Sequence, residues 1–247
     1  MPDDLVVGEG AQLSQVARTV DTFVAPSKTF TDILRSANCW LPLVLMVVLT
    51  MGWAYSIDKT VGYPAATQVQ MEKRAGAEEQ LQQLPADQRA RQISMAAKIT
   101  KGTTYASFVF VLIFMAIEAL ILWASFNFGL GAQTKFGQVF AVITFAGLPR
   151  YLIWVISAMT LFAGVGVDNF DMQNPVGTNL GYYLTDSAKW LKTAGTFFDI
   201  FGLWSLALIV LGMAIISRKT IAQSATVVLG WFVLILIIVT GFSAAFS

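Results

Sequence analysis

The chain has 247 residues, of which 56% are hydrophobic and only 13% charged, with a net charge of +1. That balance, and a mean hydropathy of +0.65, exclude an ordinary soluble or disordered class and point to a membrane protein. Scattered basic residues exclude the electrostatic footprint of a nucleic-acid binder, and a single cysteine (Cys39) with no histidine excludes disulfide frameworks, paired-cysteine redox motifs, Cys/His zinc sites and histidine acid–base catalysis.

Residues 1–20 are polar and mixed, with no periodic apolar face, and read as a mobile tail. Asp3 and Asp4 without an early apolar core argue against a cleaved signal peptide. The first membrane segment is then expected to act as its own insertion signal. From Pro26 the pattern changes: Thr29 and Asp32 have capping-box spacing, and Phe30, Ile33, Leu34 and Ala37 recur at helical intervals. This predicts a short amphipathic helix lying in the interface.

The first span is predicted over 40–57, with Pro42 in its first turn and Trp40, Trp53 and Tyr55 as belt residues. Residues 58–104 form a polar extramembrane loop that divides at Pro85 into two helices. Its charges, Glu72, Lys73, Arg74, Glu78, Glu79, Asp87, Arg89 and Arg91, are of mixed sign and read as a solvated face. A second span follows over 105–128 and a third over 136–163. At 28 residues the third is longer than a straight crossing needs. Pro149, with Gly147 beside it, predicts a kink or two half-helices there. A turn-rich stretch comes next, with a short surface helix expected over 185–196, then a fourth span over 197–217 and a fifth over 221–246. The fold class is therefore an all-α, five-span integral membrane protein. Arg18, Lys28, Arg35, Lys135, Arg218 and Lys219 lie on one side, which predicts a cytoplasmic N-terminus and an external C-terminus.

Two charges stand at bilayer depth, Glu118 in the second span and Arg150 in the third. At about 1.5 Å per residue they lie roughly 15 Å and 21 Å below the turn that joins their helices. Each alone at mid-bilayer costs about 2.5 kcal/mol or more on insertion scales, which favours pairing. One reading is a buried ion pair that fixes helix register. A second is a polar site for an ion, proton or lipid headgroup, with backbone groups freed by the broken helix, and a third is two charges that snorkel separately. In the fourth span, Gly202, Ser205, Ile209 and Gly212 form a small face suited to helix packing, within the chain or in a dimer. Asp199 at the start of that span reads as a helix cap.

Gly129-Leu130-Gly131 and Gly164-Val165-Gly166 lack the third glycine of a dinucleotide fingerprint and read as turns. Asp168, Asn169, Asp171 and Asn174 lack calcium-loop spacing. No catalytic, cofactor-binding or metal-ligating residue is predicted.

Several stretches in order along nearly the whole chain resemble the Yip1 domain family, in particular its bacterial branch. They are residues 23–30 (FVAPSKTF) with 40–43 (WLPL), Asn127-Phe128-Gly129 with Phe136, Gln138, Val139 and Leu148-Pro149, residues 174–181 (NPVGTNLG), and residues 199–206 (DIFGLWSL). The resemblance implies a five-span domain over 21–247 with a cytoplasmic N-terminus, in the cytoplasmic (inner) membrane for a bacterial chain. Eukaryotic relatives associate with one another and with prenylated Rab GTPases in vesicle traffic. The expected function is a non-catalytic membrane scaffold or membrane-organising protein, acting by self-association and through other membrane proteins. The alternative is a small transporter or lipid-handling protein centred on Glu118 and Arg150.

Overall fold

A computed structural model describes residues 12–72, 83–167, 170–185 and 187–245. Residues 1–11 of the expected tail, the loop charges Lys73, Arg74, Glu78 and Glu79, and Asp168 and Asn169 lie outside them. The described residues are helical without strands, and five helices are long and apolar enough to cross a membrane. The first is α3 (Trp40–Thr60), preceded by α1 (Gln15–Val24) and α2 (Pro26–Ile33). Beyond it, α4 (Tyr63–Glu72) and α5 (Ala86–Tyr105) pack together, and a helix is found on each side of Pro85 as expected. There Tyr63 is buried and donates to the Ala54 carbonyl at 3.1 Å. Burial pushes its phenol well above the ordinary range.

The second span is α6 (Ser107–Ala124), prolonged by a π-helical turn (Ser125–Gly129). Asn127 closes the turn that follows: its amide oxygen accepts from Thr134 N–H at 2.9 Å and its NH2 donates to the Thr134 carbonyl at 3.0 Å. The third span is two half-helices, α7 (Phe136–Ala146) and α8 (Leu152–Phe162), joined by a 3-10 turn (Leu148–Tyr151). Its kink at Pro149 follows from the missing N–H, and Arg150 N–H turns to the Gly147 carbonyl at 3.0 Å instead. After a second 3-10 turn (Leu180–Tyr183), α9 (Lys189–Thr196) lies against the last span, α11 (Ile221–Ala245). The fourth span, α10, runs Ile200–Ser217 rather than from 197, because Asp199 caps it.

The third span lies at the centre, with 61% of its most apolar window buried, whereas α11 has 6% and α6 17%. Residues 141–149 are buried throughout. Around them gather Phe30 and Ile33 of α2, Met46 of α3, Ala119 and Leu122 of α6, and Ile209 and Met213 of α10. The apolar sides of α6 and α11 that remain uncovered, including Phe114, Leu120, Ile237 and Phe242, form a lipid-facing belt.

The N-terminal region differs from its reading as a tail. Ser14 caps α1 by accepting from Ala17 N–H at 3.1 Å, and Arg18 is fully buried. Its guanidinium binds Asp32 Oδ2 at 2.7 Å through Nε and 2.6 Å through Nη2, and donates from Nη1 to the carbonyls of Ser36 and Asn38. Arg18 thus ties α1 to α2 and to the linker before α3. The apolar residues of α1 do recur at helical spacing, at Val16, Val20 and Val24, but that face is exposed, and the buried residues are Arg18 and Thr22. On α10, a Cβ at Gly212 would lie 2.6 Å from Val142 Cγ1 and 3.1 Å from the Phe30 ring, so this glycine packs α10 against α7 and α2 inside the chain.

Two stability outcomes follow from these contacts. Arg18→Leu strands a buried carboxylate, a loss of about 3–5 kcal/mol, so its unfolding midpoint in detergent should fall well below that of Arg18→Leu/Asp32→Leu. Equal midpoints for the two variants would contradict the clamp. Gly212→Val overpacks the α2–α7–α10 contact by about 1–3 kcal/mol, and the same thermal assay should register it.

Candidate functional site

Glu118 stands midway along the Ser107–Gly129 span, on a helix otherwise built from large apolar residues. Arg150 sits in the 3-10 turn, where the chain emerges from its buried run: residues 141–149 are buried and Arg150 is exposed. Gly147 makes the break tight, since a Cβ there would approach the Ile143 carbonyl to 3.1 Å. The break therefore delivers a guanidinium toward Glu118 of α6.

The pair is not the buried lock that the first reading expected. Arg150 Nη1 and Glu118 Oε2 are 4.0 Å apart, and the side chains are 44% and 35% exposed. Charge-assisted hydrogen bonds run about 2.7–2.9 Å, so the two heads face each other at the outer limit of an ion pair. Among the described residues neither head makes a hydrogen bond, so the five donors of Arg150 and the acceptors of Glu118 turn toward the space around them.

That space is two adjoining cavities. One, about 470 Å³, lies between α6, α8 and the segment from Gln173 to Asn179. The other, about 410 Å³, lies between α6, α10 and α11, with Ile121, Leu206, Phe232 and Ile235 in its wall. Both are lined by Glu118, Arg150, Asp199 and Gly202.

The polar wall is built from two stretches far apart in sequence. Asp199 caps α10, accepting through Oδ1 from Phe201 N–H at 3.0 Å and Gly202 N–H at 2.8 Å. Its Oδ2 accepts from the Thr178 hydroxyl, and Ile200 N–H donates to the Thr178 carbonyl at 3.0 Å. Asn179 pairs with Asp199 in an isolated antiparallel bridge and exchanges an amide hydrogen bond with Asn174 at 2.7 Å. These groups satisfy one another, whereas the charges of Glu118 and Arg150 are left to the cavities. Tyr151 stacks on Trp154 at 5.2 Å, and Trp154 stacks in turn on Trp53 at 6.2 Å, forming the wall behind Arg150.

The remaining small-face residues divide. Gly202 opens on the cavities, with nothing closer to its hypothetical Cβ than Asp199 Cβ at 3.5 Å, while Ser205 is fully buried with its hydroxyl unpartnered among the described residues. Within the chain, Gly202 therefore meets no other helix. Reading from the sequence found Glu118, Arg150 and the Asp199 cap, but not the junction with Thr178, Asn174 and Asn179. Their signal was the pair of amides flanking Pro175-Val176-Gly177-Thr178, which composition alone shows as a turn. Among the described residues no group of three acidic or cysteine side chains converges as a metal site would require.

The comparisons with curated proteins and with solved structures found no match. A family model for the Yip1 domain matches residues 20–243, from within α1 to near the end of α11. The match takes in the broken third span, the Asn174–Asn179 pairing and the capped start of α10, so the chain belongs to the Yip1 domain family.

Proposed function

We propose that this is a non-catalytic, lipid-handling membrane protein whose working site is the Glu118–Arg150 pair, with its N-terminus on the cytoplasmic side. The observation that carries this reading is the half-exposed pair at mid-span, facing two cavities and without hydrogen bonds of its own among the described residues. Charges at that depth are costly unless partnered. A bare ion is a poor partner: the neighbouring oxygens of Asp199, Thr178 and Asn179 are already engaged, and much of the wall is apolar. An amphiphile meets both demands, since its headgroup reaches the charges and its chain lies along the apolar wall.

This ranking reverses the order expected from sequence, where a scaffold came first. A scaffold role by self-association keeps one specific support, the exposed apolar face of α11 that includes Val233, Ile237 and Ile238. Such a face is equally suited to lipid, because in a bilayer apolar surface alone gives helices no drive to associate.

Purification in mild detergent followed by native mass spectrometry tests the reading. The wild-type chain should carry about one lipid, and Glu118→Gln/Arg150→Gln should carry none while keeping its unfolding midpoint. A lipid-free wild type, or single variants that fail to fold and are rescued by the double change, would identify a structural pair instead.

A further inference from the structure

We infer that the site selects a phospholipid whose headgroup carries both a phosphate and a primary ammonium, with the phosphate on Arg150 and the ammonium on Glu118. This inference rests on the lipid-handling reading and adds the chemistry of the headgroup. Opposite charges held 4.0 Å apart, each partly exposed, present two poles to a ligand rather than one. A guanidinium offers a planar fork of N–H donors that matches phosphate oxygens in bidentate geometry. A carboxylate offers only acceptors, which suits an ammonium with N–H bonds to donate.

Three observations narrow the class. First, the junction of the cavities holds two carboxylates, Glu118 and Asp199, against one guanidinium. A headgroup with a phosphate and no cation would bring a further negative charge beside Glu118, an unfavourable like-charge contact. Second, a quaternary ammonium is held by open aromatic faces. Phe114 is the one ring that lines both cavities beside Glu118, too few for such a cage, and a quaternary ammonium has no N–H to donate to the carboxylate. Third, both cavities are mostly apolar, and the first adds Gln173, Asn174 and Thr178 at its border where the second has Ile117, Ile121 and Ile235. A headgroup at the pair would therefore have polar neighbours on one side and a slot for an acyl chain along α6 and α11 on the other.

Gly202 supplies a variant that leaves every charge in place. It faces both cavities, and the space around it admits a side chain. Gly202→Leu is expected to fill the junction while preserving the fold.

The test places the full chain in nanodiscs of equal parts phosphatidylethanolamine, phosphatidylglycerol and phosphatidylcholine, extracts it into detergent, and measures the retained lipids by native mass spectrometry. Phosphatidylethanolamine should be enriched about tenfold over each competitor, the ratio a single well-placed charge contact supports. Glu118→Gln should abolish that preference while lipid is still retained, Arg150→Gln should lose all three lipids, and Gly202→Leu should lose retention at an unchanged unfolding midpoint. Equal retention of the three lipids by the wild type, or a preference for phosphatidylglycerol or phosphatidylcholine, would overturn the headgroup inference and leave the lipid-handling reading standing. Retention of none would overturn both.

Discussion

Pro149 has no backbone N–H to donate, and it lies in the most buried of the five spans. A helix interior cannot continue normally through such a residue, because one hydrogen bond is lost and the ring meets the carbonyl of residue 145. The chain responds with a 3-10 turn over Leu148–Tyr151, and the turn carries Arg150 from a buried run to an exposed position. The position of the guanidinium beside Glu118 follows from that break.

The surroundings hold the broken helix in place. On one side, Gly212 lets α10 close onto Val142 and Phe30, and Phe30 belongs to a helix fixed through Asp32 to the buried Arg18. On the other, Trp53 donates from its indole N–H to Ser157 of α8 at 3.0 Å, and Trp231 of α11 donates to Ser125 at the end of α6 at 2.9 Å. Side chains that hydrogen-bond between helices are a principal source of order where lipid removes the hydrophobic drive. A charge clamp before the first span, a glycine contact and the Trp53 indole bond thus fix half-helices that one ladder of backbone bonds would otherwise have joined, while the Trp231 bond ties α11 to the end of α6.

Much of this architecture was legible in the residues. Long apolar runs announced five spans, Pro149 announced the break, and two isolated charges marked the site, since each of these signals is local. What escaped was non-local. Arg18 and Thr22 are buried without being apolar, while the apolar face of α1 at Val16, Val20 and Val24 is exposed, so the side that packs carries no apolar signal. Thr178 and Asp199 are separated by 20 intervening positions, and only the folded chain brings the hydroxyl to the carboxylate. The exposure of the Glu118–Arg150 pair was equally out of reach, because it depends on how α10 and α11 leave room beside α6. Depth along a helix can be counted from a sequence, but the space beside it cannot.

The central claim is that the two charges at membrane depth act on a third group rather than lock onto each other. Solid-state NMR on proteoliposomes of phosphatidylethanolamine, with nitrogen-15 in the arginine guanidinium groups, tests it directly through dipolar recoupling between phosphorus-31 and nitrogen-15. Arg150→Gln assigns the signal. The account predicts recoupling of the Arg150 guanidinium to lipid phosphorus, lost in that variant. Absence of phosphorus recoupling at Arg150, with strong recoupling of its guanidinium to a carbon-13-labelled Glu118 carboxyl, would contradict it.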